Sequence, residues 1–332
     1  MDKKMITYWS IILAVSMLIY VVLDGFDLGV GMLFGFTRDE NKRRHMLASV
    51  SPIWDGNETW LIVAGVVLWG AFPPAYAALL SAFYLPVTVM LAGLIFRGVA
   101  FEFRVHAQRT RRIWDIGFVL GSLCAAFMQG AMVGALAQGL PVTNGRFLGN
   151  DMTWLSGFSA LSGVALCAGY ALLGAGWIAR KCEGETREAA LRLTPRLSVT
   201  VLILLAALFV HSLLSNLAVM QRWVDRPALL LVALVALCAI ADVFVGVRRD
   251  SDTRPFRAIV LLFVCAYAMF AISFWPYMVP FAMTIAQAAA PMSSLKFMFW
   301  GAGLFIFPLM LIYTLCSYNV FKGKVDDSAG YD

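Results

Sequence analysis

Apolar runs of about 20 residues follow one another along almost the whole chain, each long enough to cross the hydrocarbon core of a bilayer as a helix. A bilayer admits only helices or closed barrels, because it offers no hydrogen-bond partners to a bare backbone. With 61% hydrophobic and 14% charged residues among 332, the chain is too apolar for a water-soluble domain of this size. We therefore predict an all-α polytopic membrane protein with about nine transmembrane helices. The predicted spans cover about residues 8–36, 52–72, 76–100, 113–140, 154–178, 197–217, 228–247, 256–277 and 295–318.

These spans predict a single transmembrane domain over residues 1–332. A first helical bundle covers about 8–140, the remaining helices cover about 154–318, and 319–332 form a cytoplasmic tail. The loops are too short to hold a soluble domain, so any activity lies within the membrane or at its two surfaces.

The basic residues are divided unequally between the two sides of the membrane. The first, third, fifth and seventh loops and the C-terminal tail hold 19 of the 26 Lys and Arg residues, and the opposite side holds six. Because cytoplasmic loops are enriched in Lys and Arg, this bias places the C-terminus in the cytoplasm and the N-terminus outside. It also explains the net charge of +6 without a nucleic-acid partner, since no single basic patch forms.

The segment 54–60, Trp-Asp-Gly-Asn-Glu-Thr-Trp, puts two carboxylates and an amide at the start of an apolar run. On a helix Asp55 and Glu58 are three residues apart and share a face. Trp54 and Trp60 bracket them, as is typical where a helix passes from headgroups into hydrocarbon. Carboxylates this close to a bilayer core indicate function. The alternative is that both stabilise the helix N-terminus from the wet interface.

The first predicted span carries a polar stripe beside glycines. Its members are spaced by three or four residues: Asp24, Asp27, Gly31 and Gly35. Two Gly-x-x-x-Gly patterns, 25–29 and 31–35, predict that another helix packs closely here. The two carboxylates either face a partner helix or hydrated path, or are structural groups that fix helix packing.

Other charged residues fall near span ends. Arg97, Glu102 and Arg104 close the third span, which predicts an ion pair at its cytoplasmic end. Asp115 and Asp242 lie within a turn or two of span ends, where each can reach water or pair.

Histidine is scarce. His45 and His106 fall in basic loops and only His211 lies within a span, so the chain cannot supply a bis-histidine haem site, while a His/Met pair stays open. The six cysteines contain no Cys-x-x-Cys pair, and no hydrolase or nucleotide motif occurs. We predict no metal site and no catalytic residue in this chain alone.

Segments 24–32 and 54–61 together resemble subunit II of the cytochrome bd-type quinol oxidases, and the similarity covers most of the chain. Further matching segments are 75–77, 96–97, 101–104, 114–115, 275–280 and 311–314. The short length is more similar to that of the cyanide-insensitive branch.

This resemblance implies a heterodimer in the bacterial inner membrane, with the N-terminus periplasmic, that oxidises quinol and reduces dioxygen to water. It implies that haem b and haem d belong to the partner subunit I. It also implies two four-helix bundles plus a peripheral helix, a structural quinone in some members, contact with lipid, and small single-span accessory subunits.

The resemblance also suggests roles for individual residues. Asp55 would stand at the cytoplasmic mouth of a proton pathway, to which Glu58, Asp24 and Asp27 would also belong, although some relatives have an uncharged amide where Glu58 stands. Trp60 would lie on the oxygen access route.

Two other functions are compatible with the residues. A secondary transporter could use Asp24, Asp27 and Asp55 as coupling carboxylates, but no clear inverted repeat supports it. A purely structural subunit would conduct nothing.

Overall fold

Helices make up almost all the regular structure in the computed structural model, which describes residues 2–325. Within that range, eight helices are long and apolar enough to cross a membrane, which confirms the predicted all-α membrane fold. The helices are α1 (Asp2–Phe34), α2 (Glu40–Val50), α3 (Trp54–Ala71), α4 (Pro73–Ala82), α5 (Tyr84–His106), α6 (Arg111–Gln138), α7 (Gly157–Lys181), α8 (Gly184–Leu214), α9 (Ala218–Asp225), α10 (Ala228–Arg248), α11 (Arg254–Phe274), α12 (Ile285–Ala288), α13 (Met292–Met298) and α14 (Ile306–Val320).

Four short strands form two antiparallel hairpins on the loops. One pairs β1 (Val142–Thr143) with β2 (Arg146–Phe147), and the other pairs β3 (Tyr277–Val279) with β4 (Met283–Thr284).

The second predicted span is α3, a helix of 18 residues that is not among the eight. Its first turn carries Asp55, Asn57 and Glu58, which lower its apolarity. The predicted break at the Pro-Pro pair is confirmed: α3 ends at Ala71 and α4 begins with Pro73, whose missing N–H is tolerated at a helix start.

Three other spans differ in their bounds. The third predicted span, about 76–100, is two helices, since α4 ends at Ala82 and α5 begins at Tyr84. Helix α8 begins already at Gly184, because its polar first turns continue the helix beyond the apolar run. The last span is interrupted, since a π-helical turn at Phe299–Gly303 separates α13 from α14. The predicted tail begins as α14 ends, and its residues 326–332 lie outside the described range.

The long helices pack as two groups of four. Helices α1, α3, α5 and α6 form the first bundle, and α7, α8, α10 and α11 form the second. Helix α14 lies outside both, and the bundles meet where α1 and α6 contact α7. This arrangement matches the predicted two bundles with one peripheral helix.

Glycines allow the two bundles to approach at their junction. A Cβ atom on Gly29 would overlap the backbone carbonyl of Tyr170 on α7, and one on Gly174 would lie 2.5 Å from the carbonyl carbon of Gly29. Gly31 likewise has no room for a Cβ beside Ser122 of α6. The predicted packing role of the α1 glycines is confirmed.

Candidate functional site

Two carboxylates of α1 and one guanidinium of α5 meet in the middle of the first bundle. Asp24 and Asp27 have no exposed surface and Arg97 is 1% exposed. Arg97 Nη2 lies 3.3 Å from Asp24 Oδ1 and 3.8 Å from Asp27 Oδ2. The spacing of three residues on α1 turns both carboxylates towards α5.

The prediction that Arg97 pairs at the cytoplasmic end of its span is wrong. Glu102 is exposed, and Arg104 instead lies 2.5 Å from Asp115 and 3.0 Å from Glu40. Seven residues separate Arg97 from Arg104, about two helical turns. Arg97 therefore sits deeper, on the face of α5 that packs against α1 and α6.

Glu58 connects this group to the protein surface. Its side chain is 25% exposed, and its Oε2 lies 3.4 Å from Arg97 Nη1. Asp55, one turn earlier on α3, is exposed, and its Oδ1 accepts a hydrogen bond from the backbone N–H of Gly56 at 2.8 Å. Asp55 and Glu58, which were predicted to share a helix face, thus point in different directions. Asp55 points towards water and Glu58 towards Arg97.

Asn57 completes the group from the side opposite to Glu58. The side chain is 1% exposed, and its Nδ2 donates to Asp27 Oδ2 at 2.7 Å. The Tyr318 hydroxyl of α14 donates to Asn57 Oδ1 at 2.9 Å. We call Asp24, Asp27, Asn57, Glu58 and Arg97 the buried ion cluster. The sequence places Asn57 in a polar segment but does not indicate its partners.

A second amide lies deeper in the bundle. Gln129 Nε2 donates to the Tyr20 hydroxyl at 2.7 Å, and the Tyr170 hydroxyl donates to Gln129 Oε1 at 2.8 Å. Tyr20 lies one turn before Asp24 on α1, with its hydroxyl beside that carboxylate. None of these three residues is predicted from the sequence, where each is marked only by a polar side chain inside an apolar span.

The buried ion cluster has more carboxylates than cations. Asp24, Asp27 and Glu58 face the single guanidinium of Arg97, and Asp24 Oδ2 and Asp27 Oδ1 are buried without a hydrogen-bond partner among residues 2–325. An uncompensated charge is costly in a low-dielectric interior. The arrangement is therefore suited to accepting a proton on a carboxylate.

The two tryptophans of the 54–60 segment make different contacts, and their predicted place at the membrane interface stays a prediction. The Trp54 ring packs 5.1 Å from the Arg97 guanidinium carbon. Trp60 is fully buried under α14, where its Nε1 donates to Thr314 Oγ1 at 3.1 Å and its ring meets Phe307 edge-on at 5.8 Å. Both rings face the interior because α14 and α5 cover the sides of α3 from which they project.

The three histidines lie on different helices. His45 on α2 approaches Thr186, exposed His106 ends α5, and His211 on α8 packs against the Phe158 ring at 5.1 Å. Among the described residues, no group of three or more His, Cys, Asp or Glu side chains is arranged to hold a metal ion.

Comparison with known proteins agrees with the resemblance drawn from the sequence. The chain is 29% identical over 357 residues to cytochrome bd-I ubiquinol oxidase subunit 2 of Escherichia coli K12, covering 96% of this chain and 94% of that protein. It is 28% identical over 331 residues to cytochrome bd ubiquinol oxidase subunit 2 of Bacillus subtilis 168, covering 96% of each. Its fold is similar to a chain of the bd oxidase from Geobacillus thermodenitrificans, with a TM-score of 0.75 at 16% identity over 96% of this chain and 98% of that one.

The family model of cytochrome bd terminal oxidase subunit II matches residues 5–321. Of the functions left open by the sequence, it favours an oxidase subunit over a transporter. The chain belongs to the cytochrome bd terminal oxidase subunit II family.

Proposed function

We propose that this chain is the non-haem subunit II of a terminal quinol:oxygen oxidoreductase of a bacterial respiratory chain. In this role it stabilises the haem-bearing subunit I and contributes proton and oxygen access to the dioxygen-reducing site. Membership of the family makes it part of an oxidoreductase complex that contains haem and a partner subunit I.

The observation that carries the proposal is the connection of a buried, carboxylate-rich cluster to the surface through Glu58. Reduction of dioxygen to water consumes protons, and transfer of a bare charge through hydrocarbon is prohibitive, so the path needs titratable groups. Asp55 collects protons at the surface, and Glu58 takes them to the membrane interior. Arg97 holds Glu58 and Asp24 on either side of one guanidinium, and so sets the separation of the carboxylates.

The surface beside Glu58 suits a protein partner within the membrane. Glu58 continues a stripe of exposed apolar side chains on α3 formed by Ile62, Val66 and Trp69, spaced by three or four residues. Lipid cannot solvate a partly exposed carboxylate, whereas a second subunit can bring polar groups to it. We propose that subunit I, with haem b and haem d, covers this stripe.

The ion pairs at one end of the molecule support the predicted topology. They join loops or helix ends that the charge bias assigns to the cytoplasm: Arg43–Asp115, Lys42–Glu185, Arg187–Asp252 and Lys324–Asp252. We propose that this end faces the cytoplasm of a bacterium, with the chain in the inner membrane and its N-terminus in the periplasm.

Oxygen access through Trp60 and the binding of a structural quinone, lipid and single-span accessory subunits belong to the same proposal. Trp60 supports the first, since its ring lies between apolar groups of α3 and α14 such as Phe307. A smaller aromatic ring at position 60 should change the apparent affinity for oxygen and leave proton uptake intact.

Asp55→Asn and Glu58→Gln test the proton route, because each keeps size and hydrogen bonding while removing titration. We expect oxygen-reduction turnover to fall roughly tenfold or more, about 1.4 kcal/mol on the limiting step, with haem content unchanged. Glu102→Gln is the matched control, since Glu102 is exposed at the same end and lies outside the buried ion cluster. Full turnover in an assembled Asp55→Asn complex would leave Asp55 as a stabiliser of the α3 N-terminus.

His211→Phe tests the assignment of haem to the partner. Since His211 contacts Phe158 and Ser215 at the end of α8, a phenyl ring should occupy the same space. The b- and d-haem absorption bands of the complex should persist. Loss of one band with both subunits present would identify a haem ligand in this chain.

A further inference from the structure

A small cleft lies between the start of α3 and α14, on the side of the buried ion cluster away from Glu58. It is large enough for about one water molecule. Its polar side chains are those of Asn57, Tyr313, Thr314, Ser317 and Tyr318. A cleft of this size with several hydroxyl and amide groups meets the requirements of a hydration site.

Asn57 separates this cleft from Asp27. Its Nδ2 donates to Asp27 Oδ2 at 2.7 Å, and its Oδ1 accepts from the Tyr318 hydroxyl at 2.9 Å, so both ends of the amide are held. An amide oxygen only accepts hydrogen bonds and an amide nitrogen only donates them. A water molecule, a hydroxyl or a carboxyl group can do both. Asn57 therefore links Tyr318 to Asp27 by hydrogen bonds. It does not pass a proton between them, because it has no group that accepts a proton on one side and releases it on the other.

Asp27 keeps the capacity to accept a proton from the cleft side. The carboxylate is fully buried, and its Oδ1 has no hydrogen-bond partner within residues 2–325. The side chain of Asn57 joins this carboxylate to the Tyr318 hydroxyl, which lines the cleft.

We propose that the cleft is a second approach by which water comes near Asp27 from the basic end of the molecule, the end that carries the Lys- and Arg-rich loops. Asn57 is the positioning residue that keeps this approach closed to protons. The inference rests on the proposed function, in which the open approach runs through Glu58. A closed cleft confines proton supply to the one approach that the partner subunit is proposed to cover.

Second-site rescue in the assembled oxidase tests the closure. On the slow Glu58→Gln background, Asn57→Asp introduces a group that can accept and release a proton, and Asn57→Ser leaves room for a water molecule. Either change should raise turnover at least about threefold above Glu58→Gln alone, which corresponds to roughly 0.65 kcal/mol on the limiting step. Asn57→Leu is the matched control: it fills the same space, conducts nothing, and should restore nothing.

The outcomes separate the two proposals. Normal turnover of Glu58→Gln would refute the Glu58 route itself and the inference built on it. Slow Glu58→Gln turnover that neither Asn57→Asp nor Asn57→Ser improves, with haem content retained, would overturn the closed cleft while leaving the Glu58 route standing.

A labelling measurement tests whether solvent reaches the cleft, and it leaves Asn57 unchanged. Ser317→Cys puts a thiol in the cleft lining, and a membrane-impermeant thiol reagent added at the basic end should modify it. The neighbouring native Cys316 is exposed but does not line the cleft, so the unsubstituted complex supplies the background. Labelling above that background would show that solvent reaches the cleft lining, whereas the absence of both labelling and rescue by the Asn57 variants would refute the inference.

Discussion

The two bundles place their charged side chains differently. In the first, Asp24, Asp27 and Arg97 are buried at mid-helix, with more carboxylates than cations. In the second, Arg187 in the first turn of α8 lies 2.6 Å from Asp252 in the loop before α11, and Lys324 lies 2.8 Å from the same carboxylate. The first arrangement costs desolvation that an apolar core would avoid, whereas the second costs little.

The buried polar residues of the second bundle are mostly hydroxyls that bond their own helix. Thr194 Oγ1 donates to the carbonyl of Ala190 and Ser198 Oγ to that of Thr194, at 2.8 and 2.9 Å. Such bonds satisfy a polar group without a partner helix. The difference suggests that the first bundle carries the function and the second supports it.

Removing the buried guanidinium of Arg97 should lower the stability of the protein more than any other substitution proposed below. Arg97→Gln leaves three carboxylates without their cation, and we expect a loss of about 3–5 kcal/mol and little assembled complex. Arg254→Gln in the second bundle is the control, because Arg254 and Asp242 are 38% and 39% exposed and water screens their ion pair, so its loss should change stability little. Thermal unfolding and haem yield of the purified complexes measure both. Equal losses would contradict the distinction between the bundles.

Gly29→Ala should disturb the junction between the bundles by an intermediate amount. The new methyl overlaps the carbonyl of Tyr170, so α1 and α7 must move apart, at a cost of roughly 1–3 kcal/mol. Gly157→Ala at the start of α7 is the control, since nothing lies within 4 Å of its Cβ position and alanine favours a helix. The midpoint of thermal unfolding should fall for Gly29→Ala only. An unchanged midpoint would mean that the bundles adjust freely.

Lowering the pH should remove a smaller part of the stability, namely the part that the ion pairs of Asp252 contribute in the second bundle. Partial burial disfavours the charged form of Asp252, but hydrogen bonds from Lys324 and Arg187 outweigh it and lower the pKa of Asp252. The folded value thus lies below the unfolded one of about 3.9, so the stabilisation is present above that pH and is lost as the pH falls towards the folded pKa. Asp252→Asn should cost up to about 1 kcal/mol at pH 7.

Thermal unfolding of both proteins between neutral pH and about pH 3 measures this contribution, since their difference should shrink below the unfolded pKa of about 3.9. Asp151→Asn, an exposed residue without an ion-pair partner among residues 2–325, should match the unsubstituted protein. A difference independent of pH would show that Asp252 acts through packing rather than charge.

The amino-acid sequence by itself determined the membrane class, the approximate spans, the break at Pro73 and the close packing at Gly29. Each depends on local properties, since apolar length, a missing N–H and a missing side chain act whatever the rest of the fold does. Segments 24–32 and 54–61 were also sufficient to indicate the family.

Tertiary structure alone decided which charges meet. Arg97 stands near Glu102 and Arg104 in the sequence, but the packing of α5 and α1 against α6 places its guanidinium beside Asp24 and Asp27. Likewise Tyr318 reaches Asn57 across 261 residues of chain. Helical periodicity specifies the face of a residue but not the helix opposite, because the packing of apolar side chains selects that neighbour and carries the polar groups with it.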